Sequence, residues 1–295
     1  MADIETRVAT IEVAGRERQY LQVRRAGLRA GAPLLLVFHG SNQNVEQFRQ
    51  FSGHIFDDLA AREGVIVVYL EGFRGHWNDA RVQSNFAARA EGYDDVAFAT
   101  ALIDLYVDSE AADPSRVFAA GYSNGGQLVI RLLQEIPGRL AGAGLVGATL
   151  PTPENLLPAL ATAPVPVFLV HGTKDPLVPY AGGMASLWGL KPRGPGISLV
   201  ATAQAFAARN GITSPPRAHE LVDGRPGRTT ARVIDFAAAG SAPVRAVTIV
   251  GGGHTIPNPT ATAPVLMGKT HRGFDTAREL WAFLTASAGW ASQPK

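Results

Sequence analysis

Six consecutive residues, Gly121-Tyr122-Ser123-Asn124-Gly125-Gly126, are the first place in this chain where residue type and spacing could do chemistry. The serine stands between two glycines in G-x-S-x-G spacing. It follows the mostly apolar run 116–120 and precedes an amphipathic run over 127–136, so the segment reads as strand, sharp turn, helix. A turn that tight forces the serine into a strained backbone conformation, and side chains at 121 and 125 would collide across it. The hydroxyl is then lifted clear of the sheet, where a base and a carbonyl can both reach it. The helix that follows aims its N-terminus at the same point, and its free N–H groups and dipole favour a developing oxyanion. The chemistry expected of Ser123 is nucleophilic attack on a carbonyl.

An attacking serine needs a base, and the base needs an orienting carboxylate. On an elbow of this kind the acid and then the histidine follow the serine in chain order. Of the seven histidines, His219, His254 and His271 lie late enough. His254, in Gly251-Gly252-Gly253-His254-Thr255, comes directly after the apolar run 244–250, and parallel sheets place their chemistry on loops at the C-terminal ends of strands. His219 has no strand signal before it and His271 just precedes the last helical run, so both read as solvated loop histidines. Asp175 follows Val167-Phe168-Leu169-Val170-His171-Gly172-Thr173-Lys174, again just past a buried strand. Asp223, in a Gly/Pro turn, and Asp235, inside a strand pattern, are weaker carboxylates.

The oxyanion site is expected to use the backbone N–H of Asn124 and that of Ser41, on the loop His39-Gly40-Ser41-Asn42-Gln43. Gly40 lets that backbone approach closely. His39 ends a buried strand and reads as a brace for the loop, a role that His171-Gly172 repeats beside the acid. Trp77, in Gly75-His76-Trp77-Asn78-Asp79, either stacks on an acyl or aromatic group or packs its own loop. Tyr122 and Ile256, neighbours of the serine and the histidine, are read as further substrate contacts.

The elements that must position these residues alternate. An opening hairpin is expected from 6–13 and 18–24 around Gly15. Short continuous apolar runs at 34–38, 65–70, 117–120, 140–146 and 165–170 mark strands buried on both faces, and strands resume at 231–236 and 244–250. Helical periods cover 45–62, 94–107, 127–136, about 198–209, and the face Phe274, Ala277, Leu280, Trp281 and Leu284. This pattern predicts one α/β domain over 1–295, with a mostly parallel, doubly wound sheet and helices on both faces. Residues 71–93 and 176–230 break the rhythm, and 176–230 is expected to form part of a cap or rim over the site.

The chain has 46% apolar and 18% charged residues and a formal net charge of +2, with scattered arginines. That balance excludes a disordered chain and gives a nucleic-acid role no basic patch. No run is long enough to span a bilayer. Without cysteine there is no disulfide, no thiol catalysis and no thiolate metal site, and neither a metal nor a cofactor is indicated.

The segments Phe38-His39-Gly40-Ser41, Gly121-Tyr122-Ser123-Asn124-Gly125-Gly126, His171-Gly172-Thr173-Lys174-Asp175-Pro176-Leu177-Val178-Pro179-Tyr180 and Gly252-Gly253-His254-Thr255, with Phe274-Asp275 entering the last helix, resemble the esterase family of secreted polyhydroxybutyrate depolymerases and feruloyl esterases, which includes the LpqC-type lipoproteins. The resemblance implies an α/β-hydrolase fold. It also implies a serine carboxylesterase whose triad matches Ser123, Asp175 and His254, acting on small or oligomeric feruloyl-type, hydroxyalkanoate or short-chain polyester and aryl esters. Relatives often carry Cys where this chain has Ser41 and Trp where it has Ile256. The first change spares the backbone donor, and the second alters the apolar wall. The family's members are secreted or periplasmic, yet residues 1–20 show no signal-peptide pattern. An acyltransferase, a serine peptidase or a non-catalytic binding protein on the same fold are the alternatives.

Overall fold

Apolar runs alternating with amphipathic ones are buried most fully when strands form a central sheet and helices cover both faces. The computed structural model describes residues 3–109, 112–158, 163–221 and 229–288. It opens with β1 (Ile4–Val13), β2 (Arg16–Arg25), β3 (Ala32–Phe38), α1 (Val45–Phe51), α2 (Ile55–Glu63) and β4 (Ile66–Leu70). Next come α3 (Ala87–Ala90), α4 (Asp95–Asp108), β5 (Ala112–Tyr122), α5 (Asn124–Glu135), β6 (Gly142–Val146) and β7 (Val167–Gly172). The chain continues through β8 (Gly183–Met184), β9 (Pro195–Gly196), α6 (Leu199–Arg209), β10 (Arg217–Leu221), β11 (Thr230–Phe236), β12 (Val244–Val250) and α7 (Thr276–Ala288).

Ten strands share one sheet in the order β1-β2-β4-β3-β5-β6-β7-β12-β11-β10. The middle run from β4 to β12 is parallel, while β1-β2 and β10-β11 extend the edges antiparallel. Period-two alternation divides each central strand between two cores. Leu34, Leu36 and Phe38 join Phe98, Leu102, Leu128, Leu199 and Phe206 of α4, α5 and α6 on one face. Leu35 and Val37 join Phe48, Phe56 and Trp281 of α1, α2 and α7 on the other. Because the central strands run parallel, the loops after β3, β4, β5, β6, β7 and β12 all emerge at one edge.

Three sequence expectations are corrected. The helical period over 45–62 spans two helices, broken at Gly53 (φ 71°) and His54 (φ 57°). The break has a tertiary cause: a Cβ at 53 would lie 2.3 Å from Thr260 Oγ1, which itself donates to the Gly53 carbonyl at 3.1 Å. His219 lies on edge strand β10 opposite Val233, where full exposure had hidden the strand alternation. His271 is buried, not solvated, and its Nδ1 is 2.8 Å from Thr229 Oγ1. Of the stretch 176–230, the turns around β8 and β9 border the cleft, while α6 packs in the helical layer and β10 extends the sheet. Asp223 lies outside the described residues.

Candidate active site

Strand β5 ends at Tyr122 and α5 begins at Asn124, so Ser123 alone makes the turn, at φ 53° and ψ −114°. A non-glycine residue held there stores roughly 1–3 kcal/mol of strain, which only a fixed surrounding sustains. The surroundings are fixed. Ser123 N–H donates to Val146 O on β6 at 2.8 Å. A Cβ at Gly121 would lie 2.3 Å from Gly125 O, and one at Gly125 would lie 2.3 Å from Phe38 O.

The loop after β12 brings His254 to this serine: Nε2 is 2.9 Å from Ser123 Oγ, and Nδ1 is 2.6 Å from Asp175 Oδ2. Tyr122 O–H donates to the His254 carbonyl at 2.8 Å, with the two rings 5.0 Å apart. Beneath the imidazole lies Gly147, whose Cβ would come within 3.1 Å of His254 Cε1. Asp175, on the loop after β7, accepts three hydrogen bonds and faces a fourth donor, His171, whose single Nε2 proton is shared with Val178 O. Leu177 N–H and Val178 N–H donate to Oδ1 at 2.8 Å each, and His254 and His171 address Oδ2. Burial alone would raise this carboxyl, but His254 and the His171 hydrogen bond outweigh it and hold it well below the usual carboxylate range. The site therefore contains a fixed anion, an imidazole and a hydroxyl in series.

On the opposite side, the loop after β3 is built on His39. Its Nδ1–H donates to Gly40 O at 2.7 Å and its Nε2 accepts from Gly72 N–H at 2.9 Å, a pattern that only the neutral ring satisfies. Burial pushes this imidazole down to about 4, against the opposing bond to Gly40 O. The Gly40 amide is spent on Gln43 Oε1 and the Asn42 amide on Gly75 O. Between them, Ser41 N–H has no acceptor among the described residues and borders the same cleft as Ser123. Asn124 N–H, in the first turn of α5, is likewise without one.

The Asn124 side chain is clamped. Its Oδ1 accepts from Trp77 N–H at 2.9 Å and its Nδ2 donates to buried Asp79 at 2.6 Å. Asp79 in turn holds Arg81 at 2.5 Å. Of the two roles open to Trp77, it takes the packing one and does not wall the substrate cleft. It is fully buried, and its Nε1–H donates to His39 O at 2.8 Å. Ile256 is also no wall, being packed with the α1, α2 and α7 core. Tyr122 does edge the cleft.

A cavity of about 290 Å³ opens beside Ser123 and His254, walled by Phe51, Leu177, Leu187, Trp188, Leu266 and Met267. Leu187 and Trp188 come from an irregular loop and Leu266 and Met267 from a single 3-10 turn, and no sequence period singled them out. A larger hollow of about 730 Å³ lies at the β10-β11 edge, lined by none of the residues of this constellation.

A parallel sheet that carries a serine at positive φ on the turn after a central strand, with histidine and aspartate loops beside it, is an α/β-hydrolase. The phospholipase/carboxylesterase family model matches residues 68–190. NocK of Nocardia uniformis subsp. tsuyamanensis, a protein assigned by name as an esterase, is 33% identical over 294 residues, covering 96% of this chain and 84% of its own. Feruloyl esterase B of Piromyces equi is 27% identical over 236 residues, which cover 76% of this chain and 39% of that longer protein. Among solved structures, an acetyl xylan esterase from Aspergillus awamori superposes with a TM-score of 0.60 over 86% of this chain and 95% of its own, at 15% identity, a likeness of fold. The chain belongs to the phospholipase/carboxylesterase family and is a carboxylic ester hydrolase. No helix among the described residues is long and apolar enough to cross a membrane.

Proposed function

We propose that this protein is a single-domain serine carboxylesterase in which Ser123, His254 and Asp175 form the catalytic triad and the Ser41 and Asn124 amides form the oxyanion hole. The observation that carries the reading is the hydrogen-bonded series Ser123 Oγ, His254, Asp175, at 2.9 and 2.6 Å. His254 Nε2 takes the Ser123 proton as Oγ attacks the ester carbonyl, and Asp175 stabilises the imidazolium. The two amides receive the oxyanion. Collapse of the tetrahedral intermediate breaks the bond to the alkoxy oxygen, which leaves as alcohol with the proton from His254. Water then repeats the sequence on the acyl-enzyme and releases the acid. The motif resemblance and the apolar cavity support feruloyl-type, hydroxyalkanoate or short-chain esters as substrates, and the motif resemblance supports kinship with the polyhydroxybutyrate depolymerase and feruloyl esterase group.

The test compares p-nitrophenyl butyrate hydrolysis by wild type and Ser123→Ala at pH 8. A drop in kcat of about 10⁴-fold or more in a folded variant is expected. Turnover indifferent to Ser123 would refute the assignment. Methyl ferulate set against hydroxybutyrate oligomers then ranks the substrate classes.

A further inference from the structure

The cleft has two unlike ends. Past Ser123, away from the apolar cavity, it narrows between Phe86, Val178 and Leu187 onto Arg81 and Arg193. No Asp or Glu side chain lines either end. Arg81 is gripped through Nε and Nη2 by Asp79, at 3.2 and 2.5 Å, which occupies one edge of the guanidinium and leaves Nη1 without an acceptor among the described residues.

Arg193 has no such partner. Its guanidinium lies 4.1 Å over the Phe86 ring, which also stacks on His76 at 4.2 Å, and its Nη1 donates to the neutral Asn85 Oδ1. No carboxylate pairs with it among the described residues. Burial, and then the charge of Arg81, push this guanidinium below its ordinary value, with only Asp79 opposing. Arg89 and Arg131 add positive charge to the same neighbourhood, where Glu135 is already bound to Arg131 at 2.5 Å. Four arginines thus share two carboxylates. The wall facing the cleft keeps positive charge that no carboxylate among the described residues pairs with. A planar guanidinium seated over a ring is restrained in position and can donate two parallel bonds to a carboxylate.

Given that Ser123 is the nucleophile, we propose that Arg193, together with the open Nη1 of Arg81, binds a carboxylate of the substrate. The preferred esters then carry an acidic group a few bonds from the scissile carbonyl, with their apolar half in the cavity beside Trp188. The narrow end measures about 50 Å³, which suits a small planar anion on a short linker.

The experiment compares kcat/KM for mono-4-nitrophenyl glutarate with that for its neutral counterpart, methyl 4-nitrophenyl glutarate. Wild type prefers the acidic ester, and Arg193→Gln reduces the acidic-to-neutral ratio roughly 10- to 100-fold, as loss of a charge-assisted pair should. Arg193→Lys keeps an intermediate ratio, and raised salt lowers the wild-type ratio. A wild-type ratio at or below one, or a ratio that Arg193→Gln does not move, overturns the proposal. Calorimetry in the Ser123→Ala background makes the test independent of turnover: monomethyl glutarate binds more tightly than dimethyl glutarate, and Arg193→Gln erases the difference. Binding preference without turnover of either ester would uphold the carboxylate pocket and refute the triad reading. Turnover without preference in either assay would do the reverse.

Discussion

The same dipeptide marks the C-terminal ends of two strands: His39-Gly40 directly follows β3 and His171-Gly172 closes β7, on the two sides of Ser123. Both glycines are sterically required. A Cβ at 40 would strike the Tyr122 ring at 2.8 Å, and one at 172 would strike Gly252 O at 2.4 Å. The histidines part company. His39 spends both ring nitrogens on backbone groups and holds a loop in place. His171 points Nε2 at Asp175 Oδ2, 3.1 Å away, and at Val178 O, 2.9 Å away, while its buried Nδ1 has no partner among the described residues. One local sequence therefore serves two purposes. On the β3 side it holds the loop whose Ser41 amide we propose as an oxyanion donor, and on the β7 side it sits against the Asp175 carboxylate.

The β7 side breaks most sharply at its carboxylate. Asp175→Asn keeps a carbonyl for the Leu177 and Val178 amides but turns the acceptor facing His254 Nδ1 into a donor or a mismatched oxygen. The imidazole then loses the tautomer it needs. A fall in kcat of about 10⁴-fold is expected, with the thermal midpoint little changed. A loss below tenfold in steady-state kinetics would mean that Asp175 does not orient the base.

On the β3 side the effect should appear in stability. The folded His39 value of about 4 lies below the ordinary 6.5, so between these values the unfolded chain binds a proton that the native protein refuses. The contribution is complete above the unfolded value and is lost as pH falls toward the folded one, about 3 kcal/mol in all. Urea unfolding of wild type at pH 7 and pH 4 should show this loss, and His39→Gln should remove that part of the pH dependence. Equal pH dependence in the two proteins would show that His39 is not held neutral.

The contrast between the two sides also measures what the sequence made legible. Ser123, Asp175 and His254 each follow a strand recognisable by its apolar run, and a parallel sheet collects such loops at one edge. Chain order and strand ends were therefore enough to draw them to one place. Residues whose roles depend on distant partners were not legible. The helix break at Gly53 answers to Thr260, 207 residues away, and the pattern of Phe48, Phe51, Ile55 and Leu59 continues straight through it. Trp77 looked equally suited to a rim or a support, and only its bond to His39 O decides between them. Arg193 stands in an irregular loop with no period to mark it, and its setting exists only once Phe86 and Asp79 are folded beside it.

The smallest expected effect falls on His171, and it tests whether the two histidines truly differ. If His171 merely filled space as a brace, any side chain of similar volume would serve. If its Nε2–H steadies the Asp175 charge, removing that donor lets the carboxyl rise toward its ordinary range and loosens its grip on His254, since a hydrogen bond to the charged form is what favours it. His171→Leu should then lower kcat by roughly tenfold, the scale of one hydrogen bond to a charged group, and leave KM unchanged. His171→Gln, whose amide nitrogen falls near the position of Nε2, should restore most of the loss. The acid limb of the pH–kcat profile should move in Leu and return in Gln. Equal losses in both variants, with an unmoved pH profile, would return His171 to the bracing role that His39 plays on the other side.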